Sequence, residues 1–430
     1  MIIHRGTDEI GGTCIELNSG NSHILLDFGM PLVTKSGESF DFRPYKNLSI
    51  EELVAKGILP DVQGAYNSNS EINGVLVSHP HADHFGLMQY LNPELPVWMG
   101  KATHEVLKLN NIFLNQDNHI SSPCYFEKNR PFQVGDFKVT PFWNDHSAFD
   151  AYSFLIESRG KSIFYSGDFR AHGRKRKVYK WFLHHAPSNV DCLLLEGTKI
   201  GRKAEQPQME EELEHSFASL FKNSSSINYI YTSSQNIDRL VTIYKACLKA
   251  GKTFVIDVYT ANILEILSDY ARLPSPLKGY RNLKVLFPHK TTTGLFRKGF
   301  DRMANKFAKQ KIKKEEISQN PSDYVMLVRP SMKADLEKIS TDHGNLIYSM
   351  WEGYKRQDYT KNFLDWLTGK NFNIHDLHTS GHADIETLRE MAYTINPKTI
   401  VPIHTFNKFD YKNIFSQNVL EVADNELFGV

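Results

Sequence analysis

Cysteine is scarce in this chain of 430 residues, and Cys14, Cys124, Cys192 and Cys247 lie far apart with no CxxC pair. That spacing excludes a disulfide scaffold and a zinc-finger site, and it reads as a cytosolic protein. No apolar run approaches the ~18–20 residues a membrane span needs, and the opening Met-Ile-Ile-His is too short for a signal h-region. A soluble, cytoplasmic protein with no membrane contact is expected. Charge of one sign is also lacking: the formal net charge is +1. Bulk charge therefore carries no information about a polyanionic partner, and any such site must be local. There is no internal repeat and no long low-complexity tract. A chain of 430 residues exceeds what one compact core usually holds, so two domains are the default.

What is present is concentrated in one stretch. Val75, Leu76 and Val77 form a short apolar run rich in β-branched residues, which reads as a buried strand. Ser78 and Pro80 end it, because proline cannot donate to a ladder. Four ligand-type side chains follow within six residues: His79, His81, Asp83 and His84. His79 and His81 are two apart, so on extended backbone they point to one side. Asp83 and His84 fall in the following turn and can aim at a second point nearby. Imidazole with carboxylate suits zinc and related divalent ions. His-x-His-x-Asp-His directly after a hydrophobic strand resembles the signature of the metallo-β-lactamase fold, a superfamily of metal-dependent hydrolases.

The downstream chain extends the resemblance. A strand from Phe137 to Phe142 leads to His146, the position of that family's third metal-bound histidine. The run Lys161-Ser-Ile-Phe-Tyr ends in Ser-Gly-Asp168, and the resemblance makes Asp168 the carboxylate shared by two metals. Asp27, closing the strand His23-Ile-Leu-Leu-Asp, matches an acidic residue that braces the metal loop without binding metal. Gly11-Gly12 allows tight backbone near the metal turn. Asp191-Cys-Leu-Leu-Leu-Glu196 is another buried strand ending in an acid. At this point the nucleic-acid-processing β-CASP branch carries an acid and inserts a second domain. The insert is readable independently: strands at 227–231, 251–257 and 324–328 alternate with helical patterns at 236–250, 261–273 and 333–339. Such alternation implies a small parallel α/β sheet. The expected domains are 1–198 and 370–430 for the αββα metallo-β-lactamase sandwich and 199–369 for the inserted β-CASP domain.

The chain then returns to ligand chemistry. His378-Thr-Ser380-Gly381-His382-Ala resembles a β-CASP motif, and Pro402-Ile-His404-Thr resembles the segment with the last histidine ligand. Carried over residue by residue, His79, His81 and His146 hold one metal. Asp83, His84 and His404 hold the other, with Asp168 between them. Two divalent ions, zinc by the donor types, suit displacement at phosphorus by an activated hydroxide. His382, Glu196 and Asp83 form the expected catalytic set, with His382 giving the leaving alkoxide its proton and Glu196 orienting it. Ser380 and Gly381 sit just before a helix, where free N–H groups can hold phosphate, and His378 is a further substrate-binding candidate.

Ser234-Gln-Asn236-Ile-Asp-Arg239 resembles a stretch of ribonuclease J, which marks Ser234 and Asn236 for phosphate contact. Two basic regions, from Arg170 to Lys180 and from Arg281 to Lys314, suit a single-stranded backbone groove, the second with Phe296, Phe300 and Phe307 interleaved. Two features depart from ribonuclease J. The insert reads Met326-Leu-Val-Arg329-Pro-Ser-Met where that family has a Gly-Ser-Gln-Gly-Glu-Pro-like loop. The chain also stops at Val430, leaving no room for the family's extra C-terminal domain. Both weigh against a processive 5′-exonuclease and the family's oligomer form, though a homodimer is allowed. The expected function is a metal-dependent hydrolase of single-stranded RNA. The rivals are a small-molecule ester, thioester or phosphodiester hydrolase of the superfamily, and an inactive nucleic-acid-binding scaffold.

Overall fold

The computed structural model describes residues 1–34, 38–68, 70–202 and 207–430. The chain divides into two compact units. The first comprises Met1–Asn111, Asp117–Gln206 and Gly381–Val430, and the second Ile112–Gln116 and Pro207–Ser380.

Two sheets form the first unit. The six-stranded sheet runs, in order, Ile2–Arg5, Cys14–Ser19, Ser22–Leu26, Gly74–Leu76, Val97–Met99 and Pro123–Tyr125. Its first three strands pair antiparallel and the rest parallel. The seven-stranded sheet runs Asn418–Val419, Thr399–Ile403, Cys192–Glu196, Lys161–Tyr165, Tyr152–Ser158, Phe137–Trp143 and Phe132–Val134. Period-two alternation sorts the apolar side chains to two faces of each sheet. Ile24, Leu26 and Leu76 from one sheet meet Phe154, Leu194 and Val401 from the other in a shared core. The opposite faces are covered separately. Leu25, Val75 and Val77 pack with Leu53 and Leu107 from helices Ile50–Ala55 and Lys101–Leu114. Leu193 and Leu195 pack with Tyr179, Phe182, Leu388 and Met391 from helices Arg176–His185 and Ile385–Ile395. The result is the expected αββα sandwich.

The second unit is built on a six-stranded, wholly parallel sheet in the order Leu283–Leu286, Thr253–Asp257, Tyr324–Leu327, Ile227–Tyr231, Gly344–Tyr348 and Phe372–Asp376. Three of these strands, at 283–286, 344–348 and 372–376, are not among those expected. Each is four or five residues long, and the first lies inside the basic stretch. The helix expected at 261–273 forms over Val258–Leu267. Two readings of basic and aromatic residues need correction. Phe307 is fully buried and cannot line a surface groove. Its neighbours Phe296 and Phe300 are exposed. Arg170 is likewise fully buried, with its Nε 3.5 Å from buried Asp145, and adds no surface charge.

Candidate metal centre

Each expected ligand of the first unit stands where a strand stops. Gly74–Leu76 delivers His79 and His81, and the one-turn helix Ala82–Phe85 carries Asp83 and His84. Phe137–Trp143 ends before His146, Lys161–Tyr165 before Asp168, and Thr399–Ile403 at His404. Burying these short apolar strands between two layers forces their polar ends together at one edge. His79, His81 and His146 each offer a ligand atom within 4.8 Å of the others, and so do Asp83, His84, Asp168 and His404. Asp168 Oδ2 is 3.2 Å from His84 Nε2 and 3.8 Å from His79 Nε2, so it faces both groups. Asp168, Glu196, His382 and His404 form a third, overlapping set.

Glycine makes two of the approaches feasible. Gly167 has φ +52, and a Cβ there would lie 2.6 Å from the Tyr152 carbonyl oxygen. At Gly11, φ +88, a Cβ would crowd Leu32 at 2.8 Å and the Asp83 side chain at 3.1 Å. Asp27 and His404 adopt left-handed φ values of 56° and 52°, a conformation that L side chains hold only when their surroundings impose it.

The surroundings also select histidine tautomers. Buried Asp27 accepts from the Ser78 backbone N–H at 2.7 Å, the Ser78 hydroxyl at 2.8 Å and the Tyr165 hydroxyl at 2.5 Å. It also lies 2.7 Å from His84 Nδ1, which donates to it. Because Ser78 gives its proton to Asp27, its oxygen accepts from His79 Nδ1 at 3.0 Å. His146 Nδ1 donates to the Gly381 carbonyl at 2.7 Å. In the neutral form of all three rings these partners keep the proton on Nδ1, so Nε2 is the nitrogen available for ligation. His404 Nδ1 is 2.9 Å from Thr198 Oγ1, and its Nε2 is 3.3 Å from Asp83 Oδ2.

Electrostatics separate the two groups. Burial, reinforced by neighbouring histidines, holds His79 and His146 well below the usual imidazole range. Burial takes His81 down to about 4. Burial would also lower His84, but Asp168, Asp27 and Asp83 outweigh it and hold its proton well above the usual value. Asp168 is pushed up by burial yet held well below the carboxylate range by His404, His84 and His382 together. The donor set fits divalent cations. Buried His79 Nε2 and Asp168 Oδ1 make no hydrogen bond among the described residues, a costly state in a dry interior that a cation would relieve.

His382 sits beside this cluster, its Nδ1 3.1 Å from Glu196 Oε2 and 3.6 Å from Asp168 Oδ2, with a partly exposed ring. Glu196 is buried and fixed by the backbone N–H groups of Phe169 at 3.1 Å and Thr198 at 3.3 Å. Burial lowers the His382 proton affinity, but the Glu196 and Asp168 carboxylates raise it above the ordinary value. Gly381 lies against this group, and a Cβ on it would meet Ser147 Oγ at 2.7 Å.

Ser234, Asn236, His378 and Ser380 belong to the second unit. The Ser234 hydroxyl is buried, 2.7 Å from Thr260 Oγ1 and accepting from Arg329 at 2.8 Å. Asn236 caps helix Ile237–Ala250, its Oδ1 accepting from the Arg239 N–H at 3.0 Å. His378 is exposed. The bracing residues Ser78, Tyr165 and Thr198 escaped the sequence reading. Ser78 stands next to a ligand and could have been suspected, but nothing local marks the other two.

Comparison with known proteins matches two segments of the chain. Residues 53–217 match the beta-lactamase superfamily domain, and residues 370–406 match the Zn-dependent metallo-hydrolase RNA specificity domain. With the sandwich and its parallel-sheet second unit, these matches make the chain similar to metallo-β-lactamase-fold hydrolases over those two segments. Several curated relatives are named ribonuclease J. That of Helicobacter pylori strain B128 is 24% identical over 424 residues, covering 93% of this chain and 55% of the relative. That of Mycoplasma genitalium is 22% identical over 421 residues, with coverages of 93% and 66%. The chain thus spans little more than half the length of the first of these relatives. A crystal structure of a protein of unknown function from Enterococcus faecalis V583 shares the fold, with a TM-score of 0.78, 23% identity and coverages of 99% and 98%. Among the described residues no helix is long and apolar enough to cross a membrane.

Proposed function

We propose that this protein is a metal-dependent hydrolase that cleaves phosphodiester bonds of single-stranded RNA. The observation that carries this reading is the pair of ligand groups sharing Asp168. His79, His81 and His146 would hold one divalent ion, and Asp83, His84 and His404 the other, with Asp168 between; the donor types favour zinc. Ions bound there supply Lewis acidity and a water acidified to near neutral pH. The chain's own residues do the rest. Glu196, anchored through two backbone N–H groups, fixes His382 through Nδ1. That leaves His382 Nε2 to pass a proton to the departing alkoxide oxygen. Ser380 and Gly381, preceding helix Ile385–Ile395, together with His378, are the residues proposed to hold the substrate phosphate. Ser234 and Asn236 are proposed as further contacts, through groups not committed to the Thr260 contact and the helix cap. The names of the relatives and of the 370–406 match favour RNA over a small ester.

A substrate panel tests the reading: end-labelled single-stranded RNA, DNA of the same sequence, and a generic nitrophenyl ester, each with and without chelator. RNA cleavage that chelator abolishes and added divalent metal restores is expected. Asp168→Asn should lower that rate by orders of magnitude while circular dichroism stays unchanged. Ester turnover without RNA cleavage would establish the small-molecule rival instead.

A further inference from the structure

The carboxyl ends of parallel strands are where open α/β sheets place their ligands, and in the second unit that edge carries tyrosines and a tryptophan. Tyr231 ends one strand and Tyr348 its neighbour, packed edge to face at 5.5 Å. The chain leaving Tyr348 forms the turn Glu352–Arg356 and then helix Asp358–Thr368. Trp351 is 41% exposed and Tyr359 is 54% exposed, unusual for rings of this size. Both are held in place. The Trp351 indole covers Gly353 so closely that a Cβ there would lie 2.3 Å from the ring, and Tyr354 meets it edge-on at 5.3 Å. The Trp351 carbonyl accepts from the Tyr348 hydroxyl at 3.1 Å, and the Tyr359 hydroxyl is 2.7 Å from that of Tyr231.

We propose that Trp351 and Tyr359 form a base-stacking ledge for single-stranded RNA, resting on the RNA reading above. Rings already ordered lose little entropy when a flat partner stacks on them, and every base offers a π face. The local charge is mixed. Lys355, 4.9 Å from the Tyr348 ring, is paired with Asp376 at 2.5 Å, and Arg356 lies in sequence between the acids Glu352 and Asp358. An uncharged, sequence-tolerant contact is therefore favoured over a phosphate groove. The ledge is continuous with the substrate segment of the same unit. Leu377 N–H donates to the Tyr348 carbonyl at 3.1 Å, and its carbonyl accepts from Ser349 Oγ at 2.5 Å. Two residues further on, the Thr379 carbonyl is 3.4 Å from the Nη2 of buried Arg239, which donates to it. A strand whose phosphate is held at His378 and Ser380 would thus have neighbouring bases within the reach of this edge.

The test uses the full chain carrying Asp168→Asn, so that RNA survives, and two probes: a short single-stranded RNA and an abasic strand of equal length and charge. The base-bearing strand should bind more tightly. Trp351→Ala and Tyr359→Ala should each weaken its binding roughly tenfold, leave the abasic strand unaffected, and show little change in salt dependence. Trp351→Phe, which keeps a ring, should retain most of the affinity. Alanine variants that bind both strands as the parent does overturn the ledge alone, as does an equal loss on both strands. A wild-type chain that neither binds nor cleaves RNA overturns the RNA reading and the ledge with it.

Discussion

At the scale of single residues, the site is governed by where protons sit. Asp27, Ser78 and the Gly381 carbonyl occupy Nδ1 of three histidines and leave Nε2 inward. His382 differs, since its Nδ1 faces Glu196, a residue with no place in the two proposed metal groups. The account therefore separates His382 from the ligands by function, and kinetics can test that. General acid help contributes ~10²–10⁴-fold. His382→Ala should slow RNA cleavage by about that factor with metal content unchanged. On a nitrophenyl phosphodiester, whose phenolate departs without a proton, the loss should shrink. Equal losses on both substrates, or loss of metal, would remove His382 from the acid role.

At the scale of elements, the organising feature is a short buried strand with a polar end, repeated in both sheets of the first unit. Asp27 links two of these ends, since it closes Ser22–Leu26 and grips the turn after Gly74–Leu76. Residues that hold ligands in place typically matter 10–100-fold for metal affinity. Asp27→Asn keeps the shape but halves the acceptors, so it should weaken zinc binding by about that factor in competition with a chromogenic chelator. Unchanged affinity would mean that the brace is ornamental. The sequence disclosed such ends well because each joins an apolar run to a ligand-type residue one to three positions beyond it. Helix Ile385–Ile395 was legible for a similar reason: Asp384 caps it, accepting from the Thr387 N–H at 2.9 Å, and Asn396 closes it in the left-handed region. Strand Leu283–Leu286 was hidden because lysines surround four residues, of which Leu283, Val285 and Leu286 are buried. Phe307 misled for the complementary reason. Local charge hid an inward-facing ring whose burial only tertiary contacts decide.

At the scale of the whole molecule, the proposed ligands span His79 to His404, so no local segment can assemble the site. Metal affinity and folding of the first unit should be coupled, and the acidic brace, the left-handed His404 and the tautomer partners all become meaningful only in the folded sandwich. These long-range parts are what the sequence could not disclose, whereas the proposed ligands, carried by strand-end motifs, are readable as candidates one by one. The most direct measurement titrates zinc into the chelator-stripped chain while following bound metal and cleavage of a labelled single-stranded RNA together. The account predicts no cleavage by the stripped chain, about two ions bound per chain at saturation, and cleavage that appears as the sites fill. Undiminished RNA cleavage by the stripped chain, or a fully loaded chain that leaves RNA intact, would contradict it.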